Sequence, residues 1–356
     1  MNEPISMPEP PQPGPILPIF QQSEPAAELI AELVPEPGPR VPQRMLDECD
    51  LRSPRIRRRV VLPALLFIAA CVTTFAAGAY GWQVAILDDR FWDLARTNWR
   101  QGLEYMVAVM AVLLAHEMGH FLMTLRYRIP ASYPVFLPVP MMLTGTMGAV
   151  IGMDGRKADR KQLFDIGIAG PLAGLVLTVP LICLGIRTAK PLPAHAPSDS
   201  TALVSPNSDP TEDASQAHFG QPLAVSLLRA WLRPEISPNS ELAPNAFYMA
   251  GWVGLLITGL NMMPISQLDG GHVTYGLWGE QSRWIGRSFL FAAIGYILVT
   301  ENYSWTVMLL LVIFLGTDHP PTANDRVRIG PWRWALGMAS LVIPILCFTP
   351  VPLLND

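Results

Sequence analysis

Apolar stretches near the roughly 20 residues an α-helix needs to cross a bilayer recur along this chain. They constrain its fold more than any other feature. Candidate spans lie at about 60–80, 103–125, 166–186, 247–263, 288–299, 305–315 and 334–348. The fifth and sixth are short and meet at Glu301-Asn302-Tyr303, so they read either as two tight spans or as one re-entrant pair. The expectation is an all-α polytopic membrane protein of about seven transmembrane helices. Composition agrees: half the residues are hydrophobic and 15% are charged, against about a quarter charged in soluble domains.

Residues 1–58 are rich in Pro and Glu, poor in aromatics, and read as a disordered cytoplasmic tail. They lead into a basic juxtamembrane cluster of Arg52, Arg55, Arg57, Arg58 and Arg59. Residues 59–356 read as a membrane-embedded domain. Short loops rich in Lys and Arg face the cytoplasm, which places the N-terminus there, together with the loops holding Arg126, Arg128, Arg156, Lys157, Arg160 and Lys161 and, later, Arg326, Arg328 and Arg333. The loop at about 188–244 carries more acidic than basic residues and reads as irregular and extracytoplasmic. This topology fits a bacterial inner membrane. The net charge of −4 argues against a nucleic-acid partner, and the isolated cysteines suggest neither disulfides nor a thiolate metal site. No cleavable signal peptide is expected. Whether the chain self-associates is left open.

One apolar segment is not helical in character. Residues 133–153 hold Pro134, Pro138 and Pro140, which break helices, and Leu143-Thr144-Gly145 offers a turn. The reading is a small β-hairpin dipping into the membrane, where irregular backbone is tolerated only against protein or a wet cavity.

The second candidate span contains His116-Glu117-Met118-Gly119-His120. Residues four apart share a helical face, so both imidazoles can reach one metal ion, and Glu117 sits where it can contact a metal-bound water. Catalytic zinc typically has three protein ligands and an open position for that water, which a carboxylate then deprotonates as it attacks a carbonyl. A chance match is the alternative reading of a five-residue pattern, but ionisable residues in the hydrocarbon are costly and point to function. The candidate third ligand is Asp269, in Asn261-Met262-Met263-Pro264-Ile265-Ser266-Gln267-Leu268-Asp269-Gly270-Gly271-His272. Pro264 interrupts the fourth span there, and Gly270 and Gly271 permit a turn. Taken alone, an Asp-Gly pair also reads as a cap or turn.

Taken together, HEMGH and NMMPISQLDG resemble the site-2 protease family of intramembrane zinc metalloproteases, whose pattern is HExxH on one span and Asn-x-x-Pro-x-x-x-Leu-Asp-Gly on a later one. FDIGIAGPLAG, at 164–174, resembles the family's glycine-rich span, and Gly167, Gly170 and Gly174 independently allow close helix approach. The resemblance covers residues 103–272 well and the flanks weakly. It implies a metalloprotease domain at 59–356 with a catalytic core at about 101–275. It also implies one Zn2+ per chain on His116, His120 and Asp269, Glu117 as general base, and Asn261 near the metal, holding substrate or oxyanion. The implied substrate is a single-span transmembrane protein within the lipid bilayer, and the implied hairpin lies beside the site; the further expectation, from strand geometry, is that an exposed hairpin edge holds the unwound segment by β-augmentation. Unlike some members, the chain lacks room in its external loop for an inserted peptide-binding domain, and no pair of nucleotide-binding domains follows the last span.

His272 reads as structural support for the site, since a fourth ligand would close the open position. His319 could line an entrance, though a solvated loop histidine is the default. Asp154 and Asp159 read as surface ion pairs. Two rival functions are a zinc-binding membrane transporter and a catalytically silent scaffold. The acids and histidines concentrate on two segments instead of lining a path, and a silent relative has no need of Glu117.

Overall fold

In a computed structural model the described residues are 60–82, 91–140, 142–191, 218–236, 240, 242–265, 267–300, 303–316, 319–348 and 353–354. The chain divides into residues 1–55 and 56–356, and every described residue lies in the second unit. The expected tail and the basic juxtamembrane cluster fall outside the described residues.

Helix α1 (Val61–Ala79) is followed by the short α2 (Phe91–Thr97) and by α3 (Trp99–Arg126), which carries the HEMGH sequence. The hairpin comes next, with strand β1 (Val135–Pro138) paired antiparallel to β2 (Thr146–Val150) and extended by an isolated bridge between Ala131 and Met153. Helix α4 (Arg160–Thr188) is the longest. Asp159 starts it with a capping box, its carboxylate accepting from the Gln162 backbone while the Gln162 side chain accepts from the Asp159 backbone. This role replaces the ion pair expected for Asp159; Asp154 does pair, with Lys157 at 3.6 Å. Then follow β3 (His218–Phe219), α5 (Leu223–Leu232), α6 (Ala246–Asn261) and α7 (Asp269–Trp278). The chain continues through α8 (Ser282–Thr300), α9 (Thr306–Leu315), α10 (Pro331–Ser340), α11 (Ile343–Cys347) and β4 (Leu353–Leu354), which pairs with β3.

Among the described residues three helices are long and apolar enough to cross a membrane: α1, α3 and α4. The protein is therefore a mostly helical membrane protein with a small sheet, and the expected seven spans are not matched by seven such helices. The fourth candidate span is α6, which stops at Asn261 ahead of Pro264. The fifth and sixth are separate helices, α8 and α9, and the seventh is divided between α10 and α11 next to Pro344. Hydropathy registers apolar length but not the prolines that cut it. The loop expected to be irregular contains α5, pinned to α6 where the Trp252 indole donates to the Gly220 carbonyl at 2.9 Å.

The core lies between α3, α4 and α6, with α1 packed on α3 and on the hairpin. At the hairpin turn Gly145 has φ +74°, and a Cβ there would lie 2.4 Å from the Thr73 carbonyl of α1. The Tyr105 hydroxyl of α3 donates to the Thr144 carbonyl at 3.1 Å. These contacts bury the turn against protein, the condition that non-helical backbone needs at membrane depth.

An ion pair on a buried carboxylate ties the far end of the chain to α4. Arg333 of α10 donates to both Asp165 oxygens at 2.7 and 3.0 Å, and the Tyr127 hydroxyl, just past α3, donates to the same carboxylate. Breaking one partner leaves a buried charge uncompensated, a cost of about 3 kcal/mol. Arg333→Ala is expected to lower the thermal unfolding midpoint in detergent, and Asp165→Asn combined with it should cost less than the sum of the two single changes. Additive single and double changes would remove this pair from the supports of the fold.

Candidate metal centre

Four segments meet at the site. His116 and His120 sit one turn apart on α3, buried, with ring centroids 4.9 Å apart. Asn261 is the last residue of α6 and Asp269 the first of α7. Between them the chain turns sharply, because Pro264 cannot continue a hydrogen-bonded helix. At the crossing a Cβ on Gly270 would lie 2.1 Å from the Met262 carbonyl, so only glycine lets α7 begin so close to the end of α6. The turn aims the Asp269 carboxylate at the histidines. A carboxylate in the first turn of a helix is also favoured by the helix dipole.

His116 Nε2 lies 3.1 Å from Asp269 Oδ2, His120 Nε2 lies 3.3 Å from Asp269 Oδ1, and the two Nε2 atoms are 3.2 Å apart. The three side chains each offer a ligand atom within 4.8 Å of the others. His120 Nδ1 donates to the Ile166 carbonyl at 2.8 Å. Because a carbonyl only accepts, this bond places the proton of the neutral ring on Nδ1 and leaves Nε2 as a lone pair. A metal-ligating histidine is oriented in the same manner. The Asn261 amide nitrogen lies 3.2 Å from His116 Nε2. Imidazole lone pairs and a carboxylate converging in a buried site call for a cation.

The third wall is α4. A Cβ on Gly170 would lie 2.0 Å from His120 Nε2, in the space where the ligand atoms converge. Gly119 of α3 faces the Ala169 carbonyl so closely that its own Cβ would lie 2.5 Å away. The glycines read from sequence as permitting close helix approach therefore do more at Gly170, where the missing side chain leaves room for the centre.

The cavity above the site has a volume of about 480 Å³. Glu117 is buried and lines it beside the candidate ligands. The opposite border comes from residues 149–152 of the hairpin, with Arg156 and, from the segment before α10, His319 and Pro320. His272 lines the cavity too. All five residues singled out from sequence, His116, Glu117, His120, Asn261 and Asp269, are thus brought together. His319 departs from its default reading: it is half-buried, bonded to His272 and part of the cavity wall. Its sequence signal was the adjacent Pro320-Pro321, which stiffens the backbone without naming a partner. His218 lies in β3, outside the site, and His195 is outside the described residues.

Gly170→Ala is expected to reduce bound metal severalfold by elemental analysis of the purified protein, whereas Gly174→Ala, whose Cβ would stay 3.3 Å from His116 Nδ1, should reduce it less. Equal metal content in both variants and the unsubstituted chain would place the ion elsewhere.

Comparison with known proteins follows the same residues. The sequence profile described as Peptidase family M50 matches residues 104–299. The probable zinc metalloprotease EGY1, chloroplastic, of Oryza sativa subsp. japonica is 30% identical over 68% of this chain and 40% of its own length. Its Arabidopsis thaliana counterpart is 28% identical over 68% of this chain and 42% of its own length. The probable zinc metalloprotease EGY2, chloroplastic, of Arabidopsis thaliana is 27% identical over 71% of this chain and 42% of its own length. The chain spans about two fifths of the length of these relatives. Their names place them in chloroplasts and lend no support to a bacterial inner membrane. No solved structure matches. With the profile covering more than half of the chain, including the histidine pair and Asp269, the chain belongs to peptidase family M50, the family of the site-2 proteases.

Proposed function

We propose that the chain is a zinc metalloendopeptidase that hydrolyses peptide bonds in transmembrane segments of membrane-anchored proteins. The observation that carries this reading is the convergence of His116, His120 and Asp269 beside a buried Glu117, on a cavity bordered by a strand. His116, His120 and Asp269 would hold one Zn2+, which accepts imidazole and carboxylate donors, and a set of only three protein ligands would leave a position open. The relatives' names, which call them probable zinc metalloproteases, agree. Bound there, zinc supplies Lewis acidity, lowering the pKa of water and polarising a carbonyl.

The rest of the chemistry belongs to the chain. Glu117 takes the proton of the attacking water and passes it to the departing amine. The Asn261 amide donates to the substrate carbonyl oxygen as charge develops on it. Substrate enters as an extended segment, since a helix hides its peptide bonds. Among the described residues β2 pairs only with β1, and its end borders the cavity, so its other edge can accept an unwound segment by β-augmentation. We place the site toward the cytoplasmic half of a seven-span arrangement with a cytoplasmic N-terminus. This follows from the Lys and Arg residues of the short loops.

A transporter reading is weaker. Among the described residues the histidines and acids that could bind a metal form a single cluster, where a conduction path needs a series of them.

The decisive experiment compares the detergent-purified chain with Glu117→Gln on a model single-span substrate. Glu117→Gln is expected to retain bound zinc and lose cleavage by roughly 10²–10⁴-fold, the usual worth of a general base. Equal cleavage by both would remove Glu117 from the mechanism, and zinc retained in Asp269→Ala would remove that ligand. In a second series, proline placed singly from Met147 to Ile151 should lower cleavage at some positions without loss of zinc. Unchanged cleavage throughout would take the hairpin out of substrate binding.

A further inference from the structure

One turn beyond Asp269, α7 carries His272, half-buried on the wall of the same cavity. Its Nδ1 lies 2.8 Å from Nε2 of His319, and His319 Nδ1 lies 2.6 Å from the Pro320 carbonyl oxygen. The direction of these hydrogen bonds is set from the far end. A carbonyl oxygen can only accept, so His319 Nδ1 carries its ring's proton. With both rings neutral, His319 Nε2 is then a lone pair and receives the proton of His272 Nδ1. His272 Nε2 is left as an acceptor. Among the described residues no protein group is hydrogen-bonded to it.

His319 is fixed on several sides. The Tyr275 ring stacks on it at 4.3 Å between centroids, and the Tyr275 hydroxyl donates to Asp325 at 2.9 Å. The Ala323 amide donates to the Ala158 carbonyl at 2.9 Å, which ties the segment to the start of α4. Burial lowers the His319 pKa below the ordinary histidine value, with the Pro320 carbonyl and Asp325 opposing, which keeps the ring neutral near pH 7.

We infer that His272 Nε2 accepts a hydrogen bond from a backbone N–H of the extended segment bound in the cavity, and that His319 is a positioning residue that sets the His272 tautomer. The peptide nature of the ligand rests on the hydrolysis proposed above. An unwound segment has given up its internal hydrogen bonds, so its N–H groups need acceptors where water is excluded. The edge of β2 provides for one side of such a segment. The carboxylate of Asp269 is engaged with the histidine pair, whereas among the described residues the acceptor on His272 has no protein donor.

The test uses the full chain in detergent with a fluorescent single-span peptide, in a Glu117→Gln background that prevents turnover. His272→Asn keeps an N–H near the Nδ1 position, facing His319, but has no acceptor near Nε2. His272→Gln brings an oxygen near the Nε2 position. Loss of one hydrogen bond predicts peptide affinity weakened about five- to tenfold in His272→Asn and held within about twofold in His272→Gln. His319→Phe keeps the stacking on Tyr275 but frees the His272 tautomer, and should weaken affinity about threefold, with zinc content unchanged in all three. Equal affinity in the Asn and Gln variants, or no peptide binding by any form, would overturn the inference. Cleavage by the unsubstituted chain is measured in parallel: the Asn–Gln difference without any cleavage would sink the hydrolysis reading and leave His272 as the acceptor.

Discussion

The fold depends on two long helices, α3 and α4, passing each other with almost nothing between them. Gly119 on one and Gly170 on the other remove the side chains that would hold them apart, and the room gained is where His116, His120 and Asp269 converge. In a bilayer the hydrophobic effect does not drive helices together, so close packing and polar contacts must do so. Here they coincide with the site. The Ile166 carbonyl on α4 orients the ring of His120, so the helix that makes room for the centre also sets the tautomer of one candidate ligand.

The remaining elements serve this pair. Helix α6 ends where Pro264 forbids continuation, and α7 restarts across its end through Gly270. That interruption turns a span into a device for delivering a carboxylate to histidines from another helix. The hairpin is held against the helices because α1 and Tyr105 enclose its turn. The Arg333–Asp165–Tyr127 cluster fastens α10 to the same helix that walls the site.

Much of the centre was legible because its chemistry forces local sequence patterns. Two candidate ligands on one helical face fall three or four residues apart, and here the aspartate presented from a broken helix has Pro264 before it and Gly270 after it. The hairpin was readable from three prolines in an apolar run, whereas the Asp159–Gln162 cap was missed: Asp159 read as a surface ion pair although the Asp-x-x-Gln spacing is local. Other features depend on distance along the chain. Asp165 and Arg333 are 168 positions apart and His272 and His319 are 47 apart, and nothing local couples either pair. The breaks inside the apolar runs were hidden for a related reason: hydropathy sums apolar residues and does not see where α10 gives way to α11 at Leu341-Val342, just ahead of Pro344.

Arg160 gives the start of α4 one more task. Its guanidinium donates to the Gly276 and Leu277 carbonyls at 2.8 Å each, closing the C-terminal end of α7. The helix bearing Asp269 is thus clamped at one end by the root of α4 and at the other by the end of α6. The wall that α4 makes and the Asp269 carboxylate are thereby held in one frame. The cavity is also bordered by parts outside that frame, the hairpin and the stretch around His319, so its shape can change there without displacing Asp269 from the histidines.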